Sequence, residues 1–246
     1  MKTLNKNWPV TALLNISVDC IGKSALLELL QSGRSLNAPI HLVTMNAEMA
    51  YSALENPDFM RILQSADLII PDGIGVVWAL ARQGVKVARL PGVEIVEDLL
   101  AASTQSDLKL ALLGSSESTH AILPGILQER FGEVKLVYRR NGFFQPEDVP
   151  QLIAEINQAQ PDILFVALGV PKQEEFIAKW RSELKVPILI GVGGSFDVIS
   201  GQLQRAPLWM RKMHLEWFYR LIQQPSRWRR MLALPKFVLK VMFSPA

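Results

Sequence analysis

Short apolar runs alternate with helical patterns between residues 40 and 192, and this alternation predicts most of the fold. The apolar runs predicted as strands cover residues 40–44, 68–70, 108–113, 135–138, 163–168 and 187–192. The segments between them repeat apolar residues at helical spacing, as Val149, Ile153 and Ile156 do. Continuous apolar strands that alternate with helices are typical of a parallel sheet covered on both faces. The pattern therefore predicts an α/β fold with a mostly parallel sheet between two layers of helices.

The amino-acid composition of the chain changes after Leu203. Alanine and glycine become rarer there, and three of the six tryptophans appear among arginines. Apolar residues keep helical spacing up to Pro225, and a second helical stretch over residues 228–242 is expected to break at Pro235. We therefore predict a body over residues 1–203 and a C-terminal helical appendage over residues 204–246. The body is expected to stay folded when the appendage is removed.

Charge divides the chain at nearly the same place. The net charge is +3 overall, but residues 205–246 hold nine Lys/Arg against one acid, Glu216, and residues 1–204 have a net charge of −5. A basic segment on an acidic body predicts contact with a phosphate, an anionic lipid surface or a nucleic acid. Nucleic acid is disfavoured because no nucleic-acid-binding motif appears. A solvated helix face is the alternative for this segment.

Composition excludes several classes of protein. Hydrophobic residues make up 49% and charged residues 20% of the 246 residues, which argues against disorder. Cys20 is the only cysteine, so no intrachain disulfide is predicted. The three histidines lack metal-ligand spacing and no Asp-x-Asp occurs, so we expect no metal. No apolar run approaches the ~18–20 residues of a membrane span, and the N-terminal residues do not form a secretory signal.

Candidate chemistry is predicted at the carboxyl ends of the strands, where ligands bind in parallel sheets. Asp72 follows the strand over residues 68–70, and Gly73 and Gly75 behind it allow a ligand to approach the backbone closely. A carboxylate in this apolar setting could have a raised pKa and act as a general base. The alternative is that Asp72 caps a helix or forms a turn. A dinucleotide fingerprint is excluded because Trp78 replaces its third glycine.

Three further strand ends carry polar or glycine-rich turns. Thr44 and Asn46 suit a sugar hydroxyl or amide, although Asn46 could equally cap the next helix. Residues 171–174, Pro-Lys-Gln-Glu, place a helix N-terminus and a cation where a phosphate could bind, although they are also an ordinary helix start. The glycine-rich residues 191–197 could cradle a phosphate through backbone N–H groups or serve close packing alone.

Taken in order, these motifs resemble those of one known family. The matching pieces are Thr44-x-Asn46, residues 66–75, Leu113-Gly114, residues 171–174, Arg205-Ala206-Pro207, and Leu215-Glu216-Trp217 followed by Arg220, Pro225, Arg227 and Arg230. As a set they resemble the WecG/TagA/CpsF glycosyltransferases over about residues 10–240. The resemblance implies a Rossmann-like body and an inverting sugar transfer that needs no metal or other cofactor.

The resemblance also implies substrates and a location. Enzymes of this family transfer a sugar, typically N-acetylmannosamine or its uronic acid, from UDP to a polyprenyl-diphosphate-linked N-acetylglucosamine during synthesis of cell-surface polysaccharides. We therefore expect a UDP-sugar donor, a polyprenyl-diphosphate acceptor and an anionic membrane surface as partners, and no nucleic acid. The expected location is cytoplasmic, peripheral on the inner face of the cytoplasmic membrane. Formation of a homo-oligomer is left open.

Residue by residue, the resemblance assigns Asp72 as the base that takes the proton from the acceptor hydroxyl. The implied substrate-binding residues are Thr44, Asn46, Gly73, Gly114, Lys172, Gln173, Arg220, Arg227 and Arg230. In this assignment the three arginines hold a diphosphate when the appendage folds over the site.

Two alternative functions stay open at this level. The first is a UDP-sugar transferase with a soluble acceptor, whose activity would not depend on lipid. The second is a non-catalytic module that recruits a partner to the membrane. In that module Asp72 and Gln173 would be dispensable, and UDP would not raise the thermal stability of the protein.

Overall fold

The computed structural model describes residue 4, residues 6–33 and residues 39–243. The strands are β1 (Val10–Leu13), β2 (Ile16–Asp19), β3 (Ile40–Met45), β4 (Leu68–Pro71), β5 (Leu110–Gly114), β6 (Leu136–Arg140), β7 (Ile163–Ala167) and β8 (Ile188–Gly191). Part of the N-terminal segment considered as a secretory signal, and the last three residues of the appendage, lie outside the described residues.

Helices follow most of these strands. They are α1 (Lys23–Ser32), α2 (Ala47–Glu55), α3 (Pro57–Gln64), α4 (Ile74–Arg82), α5 (Gly92–Gln105), α6 (Glu117–Phe131), α7 (Val149–Ala159), α8 (Lys172–Trp180), α9 (Ser195–Ile199), α10 (Leu208–Lys212), α11 (Glu216–Gln223), α12 (Trp228–Met231) and α13 (Ala233–Phe243).

The main sheet has six strands in the order β4-β3-β8-β7-β5-β6, and every neighbouring pair is parallel. Strands β3, β4, β5, β7 and β8 are buried along their whole length, as their continuous apolar sequences predict. The Rossmann-like layered α/β fold with a parallel sheet is therefore confirmed.

Alternate side chains of each strand serve two different cores. On β7, Ile163 and Phe165 pack into a cluster with α5 and α9, whereas Leu164 and Val166 pack on the opposite face with α7 and α8. Because the strands pack side chains against the helices on both faces, the sheet is held firmly between the two helical layers. Its carboxyl ends therefore form a rigid edge on which loops can position functional groups.

The apolar pattern does not predict the antiparallel hairpin of β1 and β2. Its strands are four residues long, and the turn between them places Leu14 and Asn15 at positive φ. Asparagine tolerates this conformation, but leucine rarely adopts it. Two-residue hairpin turns usually have Asn-Gly or Asp-Gly at these positions, so Leu14-Asn15 does not indicate a hairpin. The hairpin is tied to the main sheet by buried Asp19, whose carboxylate accepts a hydrogen bond from the Ile69 N–H at 2.9 Å.

The appendage contributes its last helix to the body. Phe237 of α13 is fully buried and Val241 nearly so, in a core cluster that includes Met49 of α2 and Ala79 of α4. The expected break at Pro235 is wrong, because α13 begins at Ala233 and Pro235 falls in its first turn, where a missing N–H costs nothing. The boundary near Leu203 stays a prediction, but α13 completes a core of the body.

We expect Phe237→Ala to destabilise the protein by about 3–5 kcal/mol, since it empties a fully buried aromatic site. Urea unfolding measures the change, and Leu239→Ala, at an exposed position of the same helix, is the matched control. The packing of α13 also replaces the expectation from the sequence that the body folds alone: a chain shortened before Arg205 lacks Phe237 and Val241 and should lose cooperative unfolding. A Phe237→Ala protein as stable as the control would show that α13 does not pack on the body.

Candidate active site

A cavity of about 310 Å³ opens at the carboxyl ends of β3, β4 and β8, where the appendage lies against the sheet edge. Most of the residues assigned from the sequence line it together. These are Thr44, Asn46, Asp72, Gly73, Gln173, Arg220, Arg227 and Arg230. They come from four separated parts of the chain, so only the fold brings them into one cavity.

Two of the assigned residues lie elsewhere. Lys172 is exposed in the first turn of α8 and is not part of the cavity lining. Gly114 has a φ of +118°, and a Cβ on it would lie 2.4 Å from the backbone of Ala167. This glycine is needed because β5 and β7 approach closely at their ends. The structure therefore gives Gly114 a packing role and does not bring Lys172 to the site.

Asp72 lies in the turn between β4 and α4. Its backbone N–H donates to the Met45 carbonyl at 2.9 Å, which fixes the turn against the end of β3. Gly73, not Asp72, is the N-cap of α4, and the alternative helix-capping role of Asp72 is therefore excluded. The Asp72 carboxyl is 27% exposed at the cavity. It is thus free to meet a ligand.

The Asp72 carboxyl binds its proton more tightly than an ordinary aspartate. Burial raises its pKa to about 6, and the charge of Glu216 acts in the same direction. Arg89, a hydrogen bond from the Gly92 backbone and Arg220 oppose this shift. Near neutral pH the group is therefore ionised, yet its pKa lies close to the range in which a base accepts a proton efficiently.

Arg89 is a site residue that the sequence pattern did not indicate. Its Nε donates to the backbone oxygen of Asp72 at 2.5 Å, and its Nη2 lies 3.9 Å from Asp72 Oδ1. Its Nη1 lies 2.5 Å from Glu216 Oε2. Arg89 lies in an irregular segment between α4 and α5, where no strand end or periodic pattern marks it.

Glu216, the single acid of the basic segment, joins the appendage to this site. Besides Arg89, it lies 3.7 Å from the Nε of Arg205, which in turn pairs with Glu94 of α5. The appendage is therefore held at the cavity by ion pairs between both parts of the chain. Since Glu216 shares Arg89 with Asp72, docking of the appendage also changes the charge around Asp72.

The neutral polar residues mainly fix the cavity wall. Thr44 Oγ1 donates to the Gly191 carbonyl at 3.2 Å, and Gln173 Oε1 accepts from the Gly193 N–H at 2.9 Å. The Asn46 side chain accepts from the Met49 N–H and caps α2, so its capping role is confirmed. These bonds tie the ends of β3, β8 and α8 to each other.

Three guanidinium groups of the appendage form a positive cluster. Arg227 and Arg230 both pair with Glu48 of α2. No acidic side chain of the described part of the chain lies within 4 Å of Arg220. Burial lowers the pKa of Arg227 to about 10, and the charges of Arg220 and Arg230 add to the effect. One carboxylate does not balance three cations, so the cluster favours a further anion.

The described residues contain no group of three or more His, Cys, Asp or Glu side chains that could hold a metal ion. In the same part of the chain, no helix is long and apolar enough to cross a membrane.

We expect Glu216→Gln to lower the pKa of Asp72, because the substitution removes a negative charge that raises it and leaves Arg89 more fully available to Asp72. A ¹³C NMR titration of labelled aspartate, assigned with Asp72→Asn, measures the midpoint. Glu94→Gln, which removes a partner of Arg205 instead, is the control. An unchanged midpoint in Glu216→Gln would contradict this account of the site.

Comparison with known proteins finds one matching family. The model of the glycosyl transferase WecG/TagA/CpsF family matches residues 11–245. A relative from Bacillus subtilis (strain 168) is 37% identical over 81% of this chain and 77% of its own length. A relative from Bacillus spizizenii (strain W23) is 37% identical over 84% of this chain and 80% of its own length. A relative from Staphylococcus aureus (strain MW2) is 31% identical over 82% of this chain and 79% of its own length.

All three relatives bear the name N-acetylglucosaminyldiphosphoundecaprenol N-acetyl-beta-D-mannosaminyltransferase. The family match covers nearly the whole chain, including the body, the cavity and the appendage. By this match and these identities, the chain belongs to the WecG/TagA/CpsF family of glycosyltransferases.

Proposed function

We propose that this glycosyltransferase moves N-acetylmannosamine, or a closely related sugar, from UDP to a polyprenyl-diphosphate-linked N-acetylglucosamine, with inversion at the anomeric carbon. The observation that carries the proposal is the meeting of Asp72 with the arginine cluster in one cavity. The relatives' names give the sugar and the acceptor class. The product would serve synthesis of a cell-surface polymer.

Asp72 is the base in this reaction. Its ionised carboxylate accepts the proton of the acceptor hydroxyl while that oxygen forms its bond to the anomeric carbon of the donor. The bond from the anomeric carbon to UDP breaks at the same time, and UDP leaves with the electron pair. A pKa of about 6 makes Asp72 a stronger base than ordinary aspartate while leaving it mostly ionised at pH 7.

The arginines stabilise the diphosphate charge. Guanidinium groups bind phosphate oxygens in a bidentate manner, and their effect is strong in a site that excludes water. Glu48 occupies Arg227 and Arg230 when no phosphate is bound, so a diphosphate would displace this carboxylate. With three cations at hand, the reaction needs no metal, and a chelator such as EDTA should leave turnover intact.

Thr44, Asn46, Gly73 and Gln173 position the sugar and the acceptor. Thr44 and Gln173 are largely buried in the cavity wall and hold it through hydrogen bonds to the backbone of the glycine-rich turn. A Cβ on Gly73 would lie 3.0 Å from the Cβ of Asn46, so the glycine lets the two turns approach each other. These residues orient bound groups towards Asp72 and leave the proton transfer to it.

The appendage docks on the inner face of the cytoplasmic membrane, where the lipid-linked acceptor lies. The support is its surface, which combines a net positive charge with large exposed apolar side chains. These side chains are Leu208, Trp209, Met213, Trp217, Phe218, Ile222, Trp228, Leu232, Val238, Leu239, Met242 and Phe243. Tryptophan beside arginine suits the boundary between lipid and water.

Neither alternative function gains support from the comparisons. The relatives described above are named for a lipid-linked acceptor and a transferase reaction. A soluble acceptor would not explain the exposed apolar surface of the appendage. A purely recruiting role would not explain the raised pKa of Asp72.

Asp72→Asn should lower turnover by roughly 100- to 10,000-fold, the usual contribution of a general base, while UDP still raises the melting temperature. Mass spectrometry of products from a short-chain N-acetylglucosaminyl diphospholipid and a panel of UDP-sugars measures transfer and identifies the sugar. Asp58→Asn, an exposed acid paired within its own helix, is the control. Normal turnover in Asp72→Asn would remove Asp72 as the base.

Arg227→Gln and Arg230→Gln should each weaken diphosphate binding by roughly tenfold or more, since each removes a charged hydrogen-bond donor. Calorimetry with UDP and the KM for the lipid acceptor show which of the two diphosphates the arginines contact. Arg229→Gln, whose guanidinium lies over Trp228 outside the cavity, should change neither quantity. Sedimentation with anionic vesicles separates this effect from membrane docking. Unaltered binding in both cavity variants would contradict the assignment.

A further inference from the structure

A carboxyl group with no role in the proposed reaction is buried directly behind the cavity. Glu174 of α8 has no exposed surface, and its Oε2 has no hydrogen-bond partner among the described residues. Its Oε1 accepts a hydrogen bond from Gln173 Nε2 at 2.7 Å. A buried, incompletely paired carboxyl destabilises a protein, so its presence beside a site points to a functional reason.

The partner of Glu174 is an amide that could adopt two orientations. Gln173 presents its Oε1 to the Gly193 N–H at 2.9 Å and its Nε2 to Glu174. The reversed amide would place two donors, Nε2 and the Gly193 N–H, against each other, and it would remove the donor from Glu174 Oε1. Glu174 and Gly193 therefore fix the Gln173 amide from both ends.

This pair packs against the end of β8, where the strand enters the glycine-rich turn. A Cβ on Gly191 would lie 2.6 Å from Gln173 Nε2 and 2.8 Å from Glu174 Oε1, so only glycine fits beside them. The turn that follows lines the cavity at Gly193 and Gly194, and a Cβ on Gly194 would lie 2.7 Å from Arg220 Nη2. Contacts thus run from Glu174 through Gln173 and the turn to a diphosphate-binding arginine.

We propose that Glu174 is a positioning residue, which holds the Gln173 amide and through it the turn at Gly193 and Gly194 in the geometry that binds the UDP-sugar. The proposal rests on the proposed function, since it takes this cavity as the donor site. Glu174 itself does not line the cavity, so it acts through Gln173 rather than on a bound group.

The protonation of Glu174 fits this role. Burial raises its pKa to about 8, hydrogen bonds from Gln173 and from the Glu174 backbone oppose the rise, and the charge of neighbouring Glu175 adds to it. The strands β3, β7 and β8 carry no ionisable side chain except His41, whose pKa burial lowers to about 3. On α3, Asp58 and Arg61 pair with each other. At neutral pH Glu174 therefore stays protonated.

The raised pKa has a consequence for stability. The unfolded chain loses this proton near the ordinary carboxyl pKa, whereas the folded chain keeps it up to about pH 8. Stability therefore falls as pH rises from the unfolded pKa to about 8, and a residue that cannot ionise escapes this loss. The difference in melting temperature between Glu174→Gln and the original protein should therefore shift in favour of Glu174→Gln as the pH rises from 5 to 8.

The test compares Glu174→Leu with Glu174→Gln. Leucine removes the acceptor for Gln173 Nε2, and we expect a folded protein whose UDP affinity and turnover fall about tenfold or more. Glutamine keeps an amide oxygen in the same place and should restore most of both. Glu175→Gln, at the exposed next position of α8, is the control and should change neither.

A double-mutant cycle with Gln173→Ala separates positioning from a general packing role. If Glu174 acts through Gln173, Glu174→Leu should weaken UDP binding much less in the Gln173→Ala background than in the original protein. Additive effects would overturn the proposal, and so would full UDP affinity in Glu174→Leu. Should Glu174→Leu fail to fold, loss of UDP affinity in the folded Glu174→Gln protein would overturn it as well.

The calorimetric cycle does not depend on the acceptor. If the original protein binds UDP but forms no product with the lipid acceptor, the proposed function fails and the cycle still decides the role of Glu174. If the original protein does not bind UDP at all, both proposals fall.

Discussion

The contact on which the site depends is the sharing of Arg89 between the body and the appendage. Arg89 binds the backbone of Asp72 and lies 2.5 Å from Glu216 Oε2, so one guanidinium links the candidate base to α11. Several ion pairs hold the appendage at the cavity, and this one also reaches the carboxylate of Asp72. Because Glu216 pairs with Arg89 and its negative charge raises the pKa of Asp72, docking of the appendage and the pKa of Asp72 are coupled.

The site combines groups that are unfavourable on their own. Burial and the charges of Arg220 and Arg230 lower the pKa of Arg227, and Glu174 is buried with one oxygen that has no hydrogen-bond partner among the described residues. Each costs stability, which the three apolar clusters around the sheet and the packing of α13 offset. A negatively charged ligand would reduce the repulsion between the arginines. The loss of this repulsion adds to the free energy of ligand binding.

Much of the fold and of the site could be predicted from the pattern of the chain. Strands such as β4 and β7 are apolar throughout because both of their faces are buried, and the ends of the strands mark Thr44, Asp72 and Gln173 as candidates. Arg89 could not be found in this way, since it lies in an irregular segment and its role depends on a residue 127 positions further along. The hairpin of β1 and β2 was missed because short strands and a Leu-Asn turn give little local signal.

The sequence by itself determined the order of elements, the basic character of the appendage and the residues that end each strand, because these follow from local periodicity and composition. Tertiary structure decided that Lys172 stays outside the cavity, that Gly114 serves close strand packing, and that Pro235 lies in the first turn of a helix docked on the body. It also decided which charges neighbour Asp72. Such facts depend on distances between residues far apart in the chain, which no local pattern encodes.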